Sequence, residues 1–287
     1  MVENRPLQSP AKINLLLRVG PRREDGFHSL LSWFSTVGLA DVLELELAPA
    51  GVIRLTCDHP QVPCDERNLV IKAARLLAGH CGTDLGMRAH LQKRIPMGGG
   101  LGGGSSNAAA ALTGLTRLWN CQAAPDVLDN LAAQLGSDVP FFLHPPSAIC
   151  RGRGEIITPA PPPTPQAVLL ILPAIAMPTP AVYSQFDEMA MGTDLQSAHL
   201  PPAGLAAMEL LPWLVNDLEP PAFALSPELG YLRDRCQAAL QRPVRMSGSG
   251  STLFTLYDEA EEADQAGQIL HRQFNVSTHA CNLGRCG

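Results

Sequence analysis

Apolar and polar residues alternate along the first part of the chain in the manner of β-strands. Every second residue from Ile13 to Val19 is apolar, and residues 42–47 alternate more strictly. Val52–Cys57 follows a turn at Gly51, so we expect it to pair with residues 42–47. A further period-2 run lies within Met87–Ile95. This pattern predicts a sheet in the first hundred residues.

Helical periodicity is interleaved with these strands. Apolar residues spaced three and four apart after Asn68 predict a helix that ends at Gly79. The alanine-rich residues 106–118 predict a second helix. Residues 128–135 predict a third, terminated by Gly136.

The proline-rich segment 159–165 cannot be helical and suits an extended linker. We place a domain boundary beside it, which gives domains over residues 1–160 and 161–287. Strands and helices follow without a strict βαβ alternation, so the pattern predicts an α+β protein. The predicted elements of the second domain are strands at 167–172, 243–246 and 252–257 and helices at about 205–215, 226–241 and 259–273.

Composition excludes several classes of protein. Hydrophobic residues make up 46% of the 287 residues and charged residues 17%, which is typical of a globular protein. The net charge is −6 without a basic stripe, which argues against nucleic-acid binding. No apolar stretch approaches the length of a membrane span.

The eight cysteines are scattered and form no CxxC pair. No signal peptide is evident, so we expect reduced, mostly buried cysteines in a cytosolic protein. His279, Cys281 and Cys286 lie close together, but their spacing fits no zinc site well. We interpret them as tail and predict no protein metal centre.

The strongest chemical signal is a run of six glycines within Gly98–Gly104, between a predicted strand and a predicted helix. Glycine lets main-chain amides approach and converge on an anion, and the following helix adds its positive end. Ser105 and Ser106 offer hydroxyl groups to phosphate or Mg²⁺, or cap the helix. A flexible linker is the alternative, but strand and helix bracket the run closely. We therefore favour a di- or triphosphate site.

Two common phosphate loops fit poorly. A Walker A loop ends in Gly-Lys-Ser/Thr, and no lysine follows here. The GxGxxG spacing of a dinucleotide fold is met almost automatically in so dense a run of glycines. The acid required about twenty residues on, Asp126, precedes a helix and follows no strand. A dedicated ATP loop remains the better interpretation.

The segment Pro96–Ala109 resembles the phosphate loop of the GHMP kinase superfamily, and Ser247–Ser251 resembles that superfamily's third motif. Other segments resemble the family of 4-diphosphocytidyl-2-C-methyl-D-erythritol kinases, in matching order along the chain. They are Ser9–Asn14, Asp25–His28, Gly136–Pro140, Pro178–Pro180 and Asn216-Asp217.

The resemblance implies a two-domain α+β GHMP kinase fold. Its N-terminal ATP-binding domain would be ribosomal-protein-S5-like and its C-terminal domain ferredoxin-like, with the active site in the cleft between them. It implies transfer of the γ-phosphoryl group of ATP, with Mg²⁺, to the 2-hydroxyl of diphosphocytidyl-methylerythritol in the non-mevalonate isoprenoid pathway.

The resemblance also implies the catalytic pair. Asp138 would accept the proton of the hydroxyl group, and Lys12 would keep that carboxylate ionised and steady the transferring phosphoryl group. Without the resemblance, Asp138 is a plausible helix N-cap and Lys12 a lysine on the solvent face of a strand.

The substrate contacts are implied in the same way. Asn14 would help to place the substrate, His28 would hydrogen-bond the cytosine, and Phe27 would stack on it where the family often has tyrosine. Tyr183 would lie on the other face of the base, and Thr179 would contact the substrate. Each has an ordinary alternative as a core, strand or turn residue.

The resemblance assigns a continuous loop and two outlying residues to ATP. Asn68 and Lys93 would lie on the adenine side, although Asn68 serves equally well as a helix N-cap. Ser106 is the candidate Mg²⁺ contact or a helix cap. The loop residues are Pro96, Met97, Gly98, Gly99, Gly100, Leu101, Gly102, Gly103, Gly104, Ser105 and Ser106.

Three other functions stay open. A second GHMP kinase type, acting on homoserine or a mevalonate-like acid, would not need a base sandwich. A non-catalytic nucleotide-binding module would need neither Lys12 nor Asp138, and a dinucleotide oxidoreductase would bind NAD. Since the matching segments begin at Ser9, leaving no room for a transit peptide, we expect cytoplasmic residence. The expected partner is a small-molecule substrate, without nucleic acid or membrane, and the expected state is a monomer or homodimer.

Overall fold

The computed structural model describes residues 5–284, which fall into two compact units. Of these residues, unit 1 comprises 5–11, Leu39–Ile95 and Gly102–His144. Unit 2 comprises Lys12–Gly38, Pro96–Leu101 and 145–284. The chain therefore passes from one unit to the other several times.

The described residues form ten strands and eight helices, besides 3₁₀ turns at Pro140–Leu143 and Leu211–Trp213. The strands are β1 (Leu7–Arg22), β2 (His28–Ala48), β3 (Ile53–Cys57), β4 (Gly86–Gln92), β5 (Ser147–Arg151), β6 (Ile156–Pro159), β7 (Ala167–Leu172), β8 (Arg245–Met246), β9 (Leu253–Tyr257) and β10 (Ser277–Asn282). The helices are α1 (Leu69–Cys81), α2 (Gly103–Leu118), α3 (Pro125–Leu135), α4 (Thr179–Glu188), α5 (Ala207–Leu210), α6 (Glu219–Leu225), α7 (Pro227–Leu240) and α8 (Ala260–Phe274).

In unit 1, α1, α2 and α3 share one apolar core with strands β3 and β4 and the second half of β2. The predicted pairing of β3 with residues 42–47 is wrong. Strand β3 runs parallel to β4, and β4 lies between β3 and β2. After the turn at Gly51, β3 does not pair with β2, the strand that precedes it in sequence. Closeness in sequence therefore did not predict the pairing partner of β3.

Helix α1 continues past the predicted stop at Gly79. It ends at Cys81, and Gly82 supplies the left-handed cap, with a φ of 61°. Glycine is enriched at that cap position because it adopts positive φ without strain. Gly79 lies inside the helix, so the predicted end was three residues too early.

In unit 2, strand β7 lies between β10 and β9, and β9 pairs with β8. Helix α8 packs against β7 and β10, and β7 is buried almost throughout, as its apolar run predicts. The first half of β2 pairs with β5, and β5 pairs with β6.

The interpretation of the C-terminal residues as tail is wrong. His279 and Cys281 lie in β10, which pairs antiparallel with β7 from Ser277 to Asn282. Cys286 lies outside the described residues. An edge strand with half-exposed side chains lacks the clear alternation that would have revealed it.

The expectation of reduced, mostly buried cysteines is also wrong in part. Cys81, at the end of α1, forms a disulfide with Cys121, just after α2, with their Cα atoms 6.0 Å apart. The packing of α1 against α2 brings these ends together. Cys150 and Cys236 are buried and free, and burial raises the pKa of Cys236 to about 11.

Within residues 5–284, no helix combines the length and the apolar character needed to cross a bilayer. The same residues hold no group of three or more His, Cys, Asp or Glu side chains able to bind a metal ion.

Candidate active site

The glycine loop adopts a backbone that only glycine tolerates easily. Gly98, Gly100 and Gly102 have φ values of 67°, 76° and 69°, in the left-handed region that penalises residues with a Cβ atom. Alternating left-handed residues turn successive amide groups towards a common side. The loop geometry therefore suits an anion with several oxygens.

The first half of the loop is fastened within unit 2 to the SGSGS segment (Ser247–Ser251) and to Thr252, which follows it. The Ser247 hydroxyl donates to the Gly100 carbonyl oxygen at 3.1 Å. The Thr252 N–H donates to the Gly99 carbonyl oxygen at 3.2 Å. Because these bonds engage carbonyl groups, they fix the loop without using its amide donors.

The second half of the loop opens helix α2 in unit 1. Gly102 is the N-cap and has no side chain with which to satisfy the first amides. The Ser106 hydroxyl is buried and has no hydrogen-bond partner among the described residues. A buried polar group without a partner is costly, and a phosphate oxygen or Mg²⁺ would satisfy this one.

A buried aspartate that the sequence pattern did not reveal holds the residues before the glycine loop against helix α2. Asp41 is fully buried and accepts from the N–H groups of Arg94 and Ile95, at 2.7 and 2.8 Å, and from the Asn107 amide at 3.0 Å. The Lys93 ammonium group lies 2.8 Å from its carboxylate. Asp41 thus ties the chain just before Pro96 to α2. The only signal was an acid inside an apolar run.

Lys12 lies in unit 2 and is 3% exposed. Its ammonium group donates to the Asn14 side-chain oxygen at 2.7 Å and lies 4.5 Å from the centre of the Phe34 ring. The Asn14 amide donates in turn to Ser32 at 2.9 Å, and the N–H of Lys12 donates to the carbonyl oxygen of Leu101. A lysine on a solvent face does not fit these contacts.

Asp138 lies in unit 1, in the turn between α3 and the 3₁₀ turn that starts at Pro140. The N-cap of that turn is Val139. Asp138 therefore does not occupy the N-cap position that was its ordinary explanation. Asp138 is half-buried.

The residues proposed for the base are grouped within unit 2. The ring of buried His28 lies 5.4 Å from that of Tyr183, at an interplanar angle of 32°. Phe27 is 50% exposed, and the Arg153 guanidinium lies 4.7 Å from its ring centre. An exposed aromatic ring with one cation beside it still has surface available for stacking on a heterocycle.

Three further predicted residues make protein contacts. Asn68 caps α1 by accepting the Val70 N–H at 2.9 Å, and Lys93 is engaged by Asp41. Their roles on the adenine side stay predictions, since those side chains already have partners. Thr179, the first residue of α4, lies 2.8 Å from the Ser249 hydroxyl of the SGSGS segment.

Comparison with known proteins gives concordant results. Residues 68–145 match the family described as GHMP kinases N terminal domain, and residues 203–276 match GHMP kinases C terminal. The chain is 38% identical over 275 residues to the 4-diphosphocytidyl-2-C-methyl-D-erythritol kinase of Acaryochloris marina, covering 90% of this chain and 88% of that one.

The chain belongs to the 4-diphosphocytidyl-2-C-methyl-D-erythritol kinase family.

A solved structure of a 4-(cytidine 5'-diphospho)-2C-methyl-D-erythritol kinase supports the same family. It superposes with a TM-score of 0.79 at 37% identity, covering 98% of this chain and all of that one. The homoserine kinase of Cytophaga hutchinsonii has a TM-score of 0.72 at 17% identity, which indicates a shared fold alone. The predicted α+β GHMP kinase fold is confirmed.

Family members differ in length. The chloroplastic relative of Mentha piperita is 41% identical over 255 residues, which cover 86% of this chain and 62% of that protein. The chain likewise spans 63% of the tomato relative's length and 66% of the Arabidopsis thaliana relative's.

Proposed function

We propose that the protein transfers the γ-phosphoryl group of ATP to the 2-hydroxyl of 4-diphosphocytidyl-2-C-methyl-D-erythritol, giving the 2-phosphate and ADP. This reaction belongs to the non-mevalonate route to isoprenoid precursors. The domain boundary near residue 160, the site residues and cytoplasmic residence are part of the same proposal.

The phosphates of ATP bind the glycine loop in this proposal. Its left-handed glycines direct main-chain amides at the phosphate oxygens, and α2 contributes its positive end. The fastening of Gly99 and Gly100 to Thr252 and the SGSGS segment supports this role. A site that is ordered before the ligand arrives loses less entropy on binding.

Magnesium fits the residues at the start of α2. Ser106 supplies a buried hydroxyl oxygen without a partner among the described residues, and Mg²⁺ prefers oxygen ligands from phosphates together with few protein groups. When bound, the ion neutralises charge on the β- and γ-phosphates.

Asp138 accepts the proton of the substrate hydroxyl, and Lys12 stabilises negative charge that develops on the transferring group. Phosphoryl transfer depends mostly on positioning and charge stabilisation. The bond from Lys12 to Asn14, held in turn by Ser32, supports a lysine fixed in one orientation. Such preorganisation makes a charged donor effective in a desolvated site.

The cytosine binds beside His28, between Phe27 and Tyr183. The exposed Phe27 ring and the close approach of His28 and Tyr183 support a flat base site. Homoserine and mevalonate have no base to fill it.

One observation carries the choice of substrate. Identity with the solved kinase of this family is 37% along its entire length, whereas a homoserine kinase of the same fold is 17% identical. Steady-state ADP release, measured with the diphosphocytidyl substrate, homoserine and mevalonate, tests the choice. We expect turnover with the first alcohol and inhibition of that turnover by CMP. Preferential turnover of homoserine or mevalonate would contradict the proposal, and ATP binding without turnover of any alcohol would favour a non-catalytic module.

A further inference from the structure

The His28 ring is hydrogen-bonded on both sides. Its Nδ1 lies 2.9 Å from the Gly20 carbonyl oxygen, and its Nε2 lies 3.1 Å from the Asp187 carboxylate. Both neighbours are oxygen acceptors. The two contacts engage both ring nitrogens, and the second places the Asp187 carboxylate directly beside the His28 ring.

Helix α4 supplies both the carboxylate and the aromatic ring next to His28. Tyr183 and Asp187 are four residues apart, so they lie on the same face of α4. The Phe186 ring packs edge-on against His28 and closes the buried side. The helix thus presents a stacking surface and a charged acceptor side by side.

Asp187 retains capacity for another hydrogen bond. An ionised carboxylate can accept about four. It contacts His28 and Arg22, the latter 3.4 Å away, and its side chain is 31% exposed. A ligand lying against Tyr183 could therefore donate to it without displacing His28.

Cytosine carries the matching groups on one edge. Its 4-amino group is a donor and its N3 an acceptor, whereas uracil has a 4-oxo acceptor and an N3–H donor. Carboxylates read cytosine through that amino group when proteins recognise nucleic-acid bases. The Asp187 carboxylate is thus complementary to the 4-amino group of cytosine and mismatched to the 4-oxo group of uracil.

We propose that Asp187 is a specificity-determining residue that accepts a hydrogen bond from the 4-amino group of the substrate's cytosine and rejects uracil. The proposal rests on the proposed function, because it names the group that reads the base of that substrate. It assigns Asp187 more than the bracing of the His28 ring.

The test is binding of CMP and UMP by isothermal titration calorimetry to the full chain and to Asp187→Asn. Asparagine keeps the size but offers both a donor and an acceptor, so it suits either base. We expect the ratio of the UMP and CMP dissociation constants to fall by about tenfold or more in the variant. The matched control is Glu188→Gln, which removes the same charge from an exposed neighbour on α4 and should leave the ratio unchanged.

A second measurement begins with the unaltered chain, so its first result does not depend on how well the variant folds. Pyrimidin-2-one riboside 5'-monophosphate is CMP without its amino group. Against the unaltered chain it should bind about tenfold or more weaker than CMP. The penalty should shrink in Asp187→Asn, since each change removes the same contact and the two effects are then not additive.

Several results would overturn the proposal. If Asp187→Asn weakens CMP and UMP equally, Asp187 only braces His28. If the unaltered chain binds CMP and its deamino analogue equally, no protein group reads the amino group. In both cases turnover of the diphosphocytidyl substrate would still stand, so the proposed function survives. A chain that neither binds CMP nor phosphorylates that substrate would refute the proposed function as well.

Discussion

The Ser247 hydroxyl donates to the Gly100 carbonyl oxygen across 147 residues of sequence. The same hydroxyl accepts the N–H of Asn14 at 3.3 Å, and the Asn14 side chain in turn holds the Lys12 ammonium group. One serine of the SGSGS segment therefore links the phosphate loop to the strand that carries the proposed catalytic lysine. This arrangement makes the loop sensitive to changes at Gly100.

We expect Gly100→Ala to impair ATP binding more than Gly98→Ala. Both positions have positive φ, so both variants bear similar backbone strain. A Cβ atom at Gly100 would collide with the Ser247 carbonyl oxygen, whereas nothing lies within 4 Å of one at Gly98. Overpacking costs about 1–3 kcal/mol, so the KM for ATP should rise about tenfold or more beyond that of the control. Equal KM values would show that the contact with Ser247 does not shape the loop.

Asp138→Ala should abolish most turnover while MgATP still binds. Loss of a general base lowers kcat by about 10²–10⁴-fold, and nucleotide binding depends on the loop. Stopped-flow turnover and nucleotide titration separate the two effects. Ser137→Ala, one residue earlier, is the control and should stay near the original kcat. A nearly normal kcat in Asp138→Ala would remove this carboxylate from the mechanism.

Asp41→Asn should be strongly destabilising, because it leaves the Lys93 ammonium group buried without its counter-charge. Breaking a buried ion pair on one side costs about 3–5 kcal/mol. Urea unfolding should therefore show a lower midpoint, and Asp41→Asn with Lys93→Met should recover part of the loss. Asp65→Asn, which breaks an exposed pair with Arg67, should leave the midpoint almost unchanged. A similar midpoint for Asp41→Asn would contradict the role given to this ion pair.

The position of Glu219 predicts a pH effect on stability. Burial raises the pKa of its carboxyl group despite the Met246 N–H bond and the nearby arginines. The folded state then binds a proton more tightly than the unfolded state. Stability from this group is fully present below the unfolded pKa and is lost as pH rises through the folded pKa.

Glu219→Gln removes that titration and keeps an oxygen for the Met246 N–H. We therefore expect the variant to have the higher melting temperature at neutral pH, with the difference shrinking as the pH falls towards 4. A variant that is less stable than the original chain at neutral pH would show that the arginine contacts outweigh the cost of burial.

Local patterns predicted the elements whose causes are local. Helix α2 follows from its alanine run and β7 from its apolar run, and the phosphate loop follows from consecutive glycines placed between a strand and a helix. The end of α1 was missed because a glycine can lie inside a helix, and sequence did not reveal that Gly82 adopts the cap conformation.

Features that depend on distant residues could not be predicted. The first half of β2 is buried on both faces, so its sequence shows no alternation. The partner of β3 depends on sheet order, and the edge strand β10 is recognisable only beside β7. The role of Asp41 depends on its contact with Lys93, which lies 52 positions away in the chain. The role proposed for Asp187 depends on its contact with His28, which lies 159 positions away.

The central claim concerns which atom receives the phosphoryl group. ³¹P NMR of the protein with MgATP and 4-diphosphocytidyl-2-C-methyl-D-erythritol follows that atom directly. We predict loss of the γ-phosphate resonance of ATP and appearance of a new phosphomonoester resonance from a phosphate on the 2-hydroxyl. The diphosphate resonances of the substrate should persist. Appearance of inorganic phosphate alone, or of a monoester at another hydroxyl group, would contradict the account.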